Sequence, residues 1–157
     1  MLSNMPNSSS RATTSPAMLE LARMLASCDL KVTRPRLAVL KILKNSTTPL
    51  SVQELAAALP PLPTINGVTI YRILESFTER GLIRLVNLRH NHLDYELVER
   101  HDDHHHIVCT KCGLIEDFYG CGASKLMSAA IKNSRHFATV NEHSVELFGL
   151  CKHCVKL

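Results

Sequence analysis

The sequence predicts an α+β protein in two parts: a helical first part closed by a β-hairpin, in the manner of a winged helix, and an α/β second part dense in metal ligands. Three observations carry this. Residues 16–80 contain four runs of helical apolar spacing separated by short breaks. Two β-prone runs follow, on either side of Arg89-His90-Asn91-His92. From His101 onward a histidine and carboxylate cluster leads straight into Cys109-Thr110-Lys111-Cys112, and a second Cys-x-x-Cys stands at Cys151 and Cys154.

Residues 1–15 are rich in Ser, Asn, Thr and Pro and carry too little apolar surface to offset the entropy of ordering them, so a disordered tail is expected there. Ser15-Pro16 then has the form of an N-cap followed by Pro at the first helical position, and Met18, Leu21, Ala22, Leu25 and Cys28 recur at helical spacing. Cys28 on that stripe reads as a small buried hydrophobe. Thr33 is placed to cap a second helix with Pro35 in its first turn, and Leu37, Leu40, Lys41 and Lys44 alternate between an apolar stripe and a basic face. After Thr47-Thr48-Pro49, Ser51-Val52-Gln53-Glu54 has the capping-box pattern that opens a third helix, which stops at Pro60-Pro61. A fourth helix is predicted over residues 68–80, with Tyr71, Leu74 and Phe77 on one side and Gly81 after its end. The runs 82–88 and 93–98 form the hairpin, so the winged part spans 16–98. In 99–157, residues 114–119 read as a strand, 123–133 as a helix and 143–150 as a strand.

With 45% hydrophobic and 20% charged residues the composition is that of a globular protein. No window approaches the roughly 18 apolar residues of a membrane span, and no signal-peptide pattern opens the chain, so a cytoplasmic protein without membrane contact is expected. The six cysteines suit metal binding in a reducing compartment better than a disulfide framework. Net charge is +4, and its excess lies in the first part: residues 1–98 hold 11 Lys and Arg against 7 acids, residues 99–157 hold 7 against 7. A basic winged helix fits double-stranded DNA, with one helix in the major groove and the hairpin near phosphates; a small domain that binds nothing is the alternative.

Cys109, Cys112, Cys151 and Cys154 form two matched pairs, each presenting two thiolates to one ion. A closed tetrahedral Zn²⁺ site is the expected product, with redox dithiols or an iron–sulfur cluster as alternatives. Two parts of roughly 60–80 residues bury modest cores, so such a site would contribute directly to folding. The histidines alternate. If residues 104–109 are extended, His104 and His106 share one face, and Glu96 and Asp117 from neighbouring strands complete a nitrogen and oxygen set suited to Fe²⁺, Mn²⁺ or Zn²⁺. Asp103, His105 and His143 form a second set on the other face, and a merely polar loop is the alternative to both.

Leu30-Lys31-Val32-Thr33-Arg34-Pro35-Arg36-Leu37, Val68-Thr69-Ile70-Tyr71-Arg72, His104-His105-His106-Ile107-Val108-Cys109-x-x-Cys112-Gly113 and Glu146-Leu147-Phe148-Gly149-Leu150-Cys151 together resemble the signature blocks of the ferric uptake regulator family, in that family's order, over residues 17–154. The resemblance implies an N-terminal winged helix-turn-helix DNA-binding domain and a C-terminal α/β dimerisation domain. It implies a homodimeric metal-responsive repressor, in which metal at the hinge fits two recognition helices to a palindromic operator. By position, Arg36, Thr69, Tyr71 and Arg72 are implied DNA contacts, Tyr71 being also a candidate core residue. Glu96, His104, His106 and Asp117 are the implied sensory ligands, and Asp103, His105 and His143 an additional site. The family's histidine before the third helix is absent, Pro49 standing there, and His90 or His92 is expected in its place. Cys121 is expected to be an inert thiol, with ligation beside Asp117 as the alternative.

Zinc-uptake and peroxide-sensing regulators of the same family remain open, although Glu96 in place of a cysteine favours an iron-type signal. A metalloenzyme built on the His and carboxylate set is the competing class, and metal storage a third. No His-Glu-x-x-His, nucleophile elbow or phosphate loop is present, and an enzyme would leave the winged part without a role.

Overall fold

The computed structural model describes residues 15–61, 65–88, 92–98 and 104–156. The expected tail up to residue 14, the hairpin tip with His90, and Asp103 lie outside them.

Helices α1 (Pro16–Ser27), α2 (Arg34–Asn45), α3 (Val52–Ala58) and α4 (Gly67–Glu79) begin where capping residues allow. Ser15 Oγ accepts from Met18 N–H at 3.3 Å, and Thr33 Oγ1 accepts from Arg36 N–H at 3.5 Å. Ser51 and Glu54 form the full capping box, the Glu54 N–H donating to Ser51 Oγ at 3.2 Å and the Ser51 N–H to Glu54 Oε2 at 2.8 Å. At α4, Asn66 Oδ1 accepts from the Thr69 N–H at 2.9 Å, one residue earlier than the apolar pattern suggests.

The core of this half joins Leu21 and Leu25 of α1, Val39, Leu40 and Leu43 of α2, Leu55 of α3, and Ile70, Ile73, Leu74 and Phe77 of α4. Each fully buried Leu or Phe contributes about 1.5–3 kcal/mol, so the shared core holds the triplet α2–α4 together. Cys28 packs against it, half-buried at the α1 C-cap. The hairpin β2 (Ile83–Val86) and β3 (Asp94–Leu97) pairs antiparallel with Arg84 opposite Glu96. A two-residue strand β1 (Leu50–Ser51), not foreseen, adds to β3 and gives the order β1-β3-β2. This is the winged-helix arrangement.

The second half is a sheet of order β5-β4-β6, from β4 (His104–Cys109), β5 (Ile115–Tyr119) and β6 (Glu146–Gly149), with α5 (Ala123–Asn133) in the crossover. β4 and β5 form an antiparallel hairpin, whereas β6 pairs parallel to β4, with Cys109 opposite Gly149. β6 is shorter than the predicted 143–150, so His143 lies in the segment before it. A small apolar cluster of Val86, Leu88 and Val108, with Ile115 and Phe148 against it, joins the two halves. No helix among the described residues is long and apolar enough to cross a membrane.

Candidate metal centres

The four thiols Cys109, Cys112, Cys151 and Cys154 bring their sulfurs within 4.8 Å of one another. Cys109 ends β4, and Cys112 sits in the following turn, closed by Gly113 (φ 75°) whose N–H donates to Cys109 O at 2.9 Å. Cys151 and Cys154 follow β6, and Cys154 opens a short 3₁₀ turn. The two ends are tied by Thr110 N–H to Gly149 O at 2.8 Å. Backbone amides point at sulfur: Cys151 N–H to Cys109 Sγ at 3.3 Å and Cys154 N–H to Cys151 Sγ at 3.4 Å. The amide donors of Cys151, Cys112 and Lys111 lower the Cys109 thiol to about 6, while burial and the neighbouring sulfurs push Cys154 up to about 12. Four converging thiols cannot all ionise without a compensating cation.

The group fits zinc. Cys112 Sγ and Cys151 Sγ are 3.8 Å apart, far beyond a disulfide and close to the edge of about 3.8 Å that Zn–S bonds of about 2.3 Å give a tetrahedron.

A second group is built across the two halves. Glu96 Oε2 of β3 lies 3.2 Å from His104 Nε2 and 3.1 Å from His106 Nε2 of β4. Asp117, opposite His106 on β5, brings Oδ1 to 3.7 Å from the same His106 nitrogen. His106 is only 2% exposed and Glu96 9%. Burial raises the Glu96 carboxyl, but hydrogen bonds and charge from His106 and Arg84 outweigh it and bring it down to about 2, so Glu96 is an anion among imidazoles. Two imidazoles and an ionised carboxylate on one side form a donor set for a borderline divalent cation. A cleft of about 180 Å³ adjoins it, bounded by Lys44, Ser46 and Thr48 of the segment that ends at Pro49.

Arg84 belongs to this group and was not singled out by sequence. Its Nε–H donates to Glu96 Oε1, and its Nη2 lies 3.2 Å from both His104 Nε2 and His104 O. His92, expected as a substitute ligand, lies elsewhere: its Nε2 is 3.2 Å from Asp94 Oδ1, and the Asp94 side chain is nearly fully buried beside it. Cys121 is not beside Asp117 but joins His105 and His143 on the opposite face of β4.

On the winged half, Arg72 and Tyr71 are exposed on α4, Tyr71 at 55%. The expectation that Tyr71 continues the apolar stripe therefore fails: Ile70, Ile73, Leu74 and Phe77 form the buried arc, which leaves Tyr71 on its outer rim. Thr69 is half-buried and its hydroxyl donates to Asn66 Oδ1 at 2.9 Å, so it serves the N-cap. The Arg36 Nη1 donates to Lys31 O at 3.1 Å, bracing the start of α2.

The family model of the ferric uptake regulator family matches residues 27–148. The chain belongs to the ferric uptake regulator family. This is a family of metal-responsive transcriptional regulators. The ferric uptake regulation protein of Legionella pneumophila is 33% identical over 138 residues, covering 87% of this chain and 99% of that protein. The ferric uptake regulator of Vibrio cholerae superimposes with a TM-score of 0.66 at 28% identity, over 83% of this chain and 98% of that one. That of Helicobacter pylori, whose structure is described as revealing three functional metal binding sites, gives 0.68 at 26% identity over 88% and 92%. Metal responsiveness thus falls on a chain whose described residues gather three groups of candidate ligands.

Proposed function

We propose that this protein is a dimeric, cytoplasmic repressor that binds a palindromic operator on double-stranded DNA when a divalent metal, Fe²⁺ or a relative such as Mn²⁺ or Zn²⁺, joins its two parts. One observation carries the reading: Glu96 of the winged sheet meets His104 and His106 of the second sheet. These residues, with Asp117, would hold the metal; bound there, it supplies the positive charge that balances the carboxylates and links the two sheets. Cys109, Cys112, Cys151 and Cys154 would hold a structural Zn²⁺ and keep β4 and β6 in register.

The DNA surface is the outer face of α4. Arg72 reaches toward base edges, Tyr71 stands beside it, and Thr69 sets the helix start, while Arg36 lies near phosphates at the start of α2. Dimerisation uses the open face of the second sheet, where Ile107 and Leu147 pair across β4 and β6 and are 41% and 45% exposed.

Gel-shift measurements on demetallated protein, with and without Fe²⁺, Mn²⁺ or Zn²⁺, test the proposal. Metal-dependent, sequence-specific retardation is the expected outcome. Turnover of a small molecule with no effect of metal on DNA binding would instead select the metalloenzyme reading.

A further inference from the structure

The additional set expected from sequence, Asp103, His105 and His143, contains no sulfur, and Asp103 lies outside the described residues. The described residues group otherwise: Cys121 Sγ lies 3.2 Å from His143 Nε2, which lies 3.3 Å from His105 Nε2, all three atoms being within 4.8 Å of one another. One ring nitrogen of His143 thus faces two polar neighbours at once. A single in-plane proton or lone pair serves only one of them well, whereas a metal ion answers to all three donors. We propose that Cys121, His105 and His143 form a metal site of two imidazoles and one thiolate that takes Zn²⁺ in preference to Fe²⁺ or Mn²⁺.

The spacing suits that ion. Zn–N bonds of about 2.0–2.1 Å place two tetrahedral nitrogens about 3.3–3.4 Å apart, and a sulfur at about 2.3 Å stands about 3.6 Å from each nitrogen. The histidine pair matches the first separation and the Cys121–His143 pair is a few tenths of an ångström inside the second. Three protein ligands leave one tetrahedral position to a further donor. A thiolate with imidazoles is a softer set than the carboxylate and imidazoles around Glu96, and zinc stands above iron and manganese in affinity for it.

The chain builds the site from three separate segments. His105 is 4% exposed on β4, and its ring packs against Phe118 with centroids 5.2 Å apart. Cys121 sits between Gly120 (φ 77°) and Gly122 (φ 70°), a left-handed pair that lets the chain turn sharply from β5 into α5. The first amide of α5, Ala123 N–H, donates to Cys121 Sγ at 3.4 Å and holds the sulfur in place. His143 comes from the segment leading to β6. Metal here ties the start of α5 and the approach to β6 onto β4. Because His105 and His106 point to opposite faces of one strand, the site is separate from the Glu96 group, and the proposal stands apart from the operator reading.

Cobalt(II) is the probe, since only a sulfur ligand gives a thiolate-to-cobalt charge-transfer band and the Glu96 group has none. Full-length protein with zinc in its four-cysteine site is titrated with Co²⁺. We expect one Co²⁺ per chain with that band, kept in His104→Ala and His106→Ala and lost in Cys121→Ser. Zn²⁺ affinity at the site should fall in Cys121→Ser by at least about 100-fold, the upper end of what losing an outer-shell partner costs. A band of undiminished strength in Cys121→Ser overturns the proposal. The unaltered chain gives a second measurement that no misfolded variant can confuse: one further equivalent of Zn²⁺ should slow alkylation of Cys121, mapped by mass spectrometry, while Mn²⁺ leaves it unchanged. Equal alkylation with and without Zn²⁺ likewise overturns it. Operator binding on the same samples separates the two ideas, because its failure in the wild type would sink the repressor reading and leave the cobalt band untouched.

Discussion

Cys109, Cys112, Cys151 and Cys154 gather at one end of a single sheet, whereas Glu96, His104 and His106 gather from two sheets. The first group is tied by backbone hydrogen bonds between its own strands, and its ligands are all thiols. The second is tied through side chains, with Arg84 reaching both Glu96 and His104, and its ligands are nitrogen and oxygen. A site closed inside one unit stabilises that unit. A site shared between units would instead report how they are placed relative to each other, and its harder donors suit a borderline divalent cation.

The contrast is broken most severely at the thiols. Cys109→Ser, or removal of zinc by a strong chelator, should unfold the second half, because a structural zinc contributes on the order of 10–16 kcal/mol. Hydrogen exchange should show residues 104–156 losing protection while the winged core keeps its own; protection unchanged across both halves would mean that the site is dispensable. Glu96→Gln is the matched change at the shared site. It should leave both halves folded yet abolish the metal-dependent gain in operator affinity, a coupling of roughly 5–150-fold, as measured by fluorescence anisotropy. Arg72→Ala belongs to neither site: it should weaken specific operator binding by about 1–3 kcal/mol while metal affinity, followed by calorimetry, stays the same.

The smallest effect is acid sensitivity in the metal-free protein. The Glu96 carboxyl sits at about 2, below its ordinary 4.5, so its interactions with His106 and Arg84 add stability that is fully present above about pH 4.5 and is lost as pH falls toward 2. Urea denaturation at pH 6, 4 and 3 should show that loss, and Glu96→Gln should flatten it.

Local chemistry made most of the first half legible. Ser15, Thr33 and Ser51 are caps in sequence and caps in the structure, and the hairpin is found inside its predicted runs. The two-residue β1 escaped because it is too short for a periodic signal and pairs only with β3, over forty residues later. The core alternative for Tyr71 arose because its spacing to Leu74 and Phe77 is helical, and spacing alone does not say where the buried arc ends; its exposure leaves only the surface reading. In the candidate sites, alternation along β4 was enough to separate His104 and His106 from His105. Arg84 was visible only through hairpin register, which sets it opposite Glu96, and Cys121 only through the turn that folds β5 back into α5. Both depend on contacts between segments distant in sequence, which no local pattern encodes.

The parallel pairing of β6 with β4 also orders events at the ribosome. Every buried residue of the winged core lies between Leu21 and Tyr95, so that half has all its partners once the wing has emerged. Cys109 and Cys112 must wait for the crossover, β6 and then Cys151 and Cys154 before the four thiols can converge. During synthesis the nascent chain thus has every partner of its winged core before the four thiols of the second half can come together.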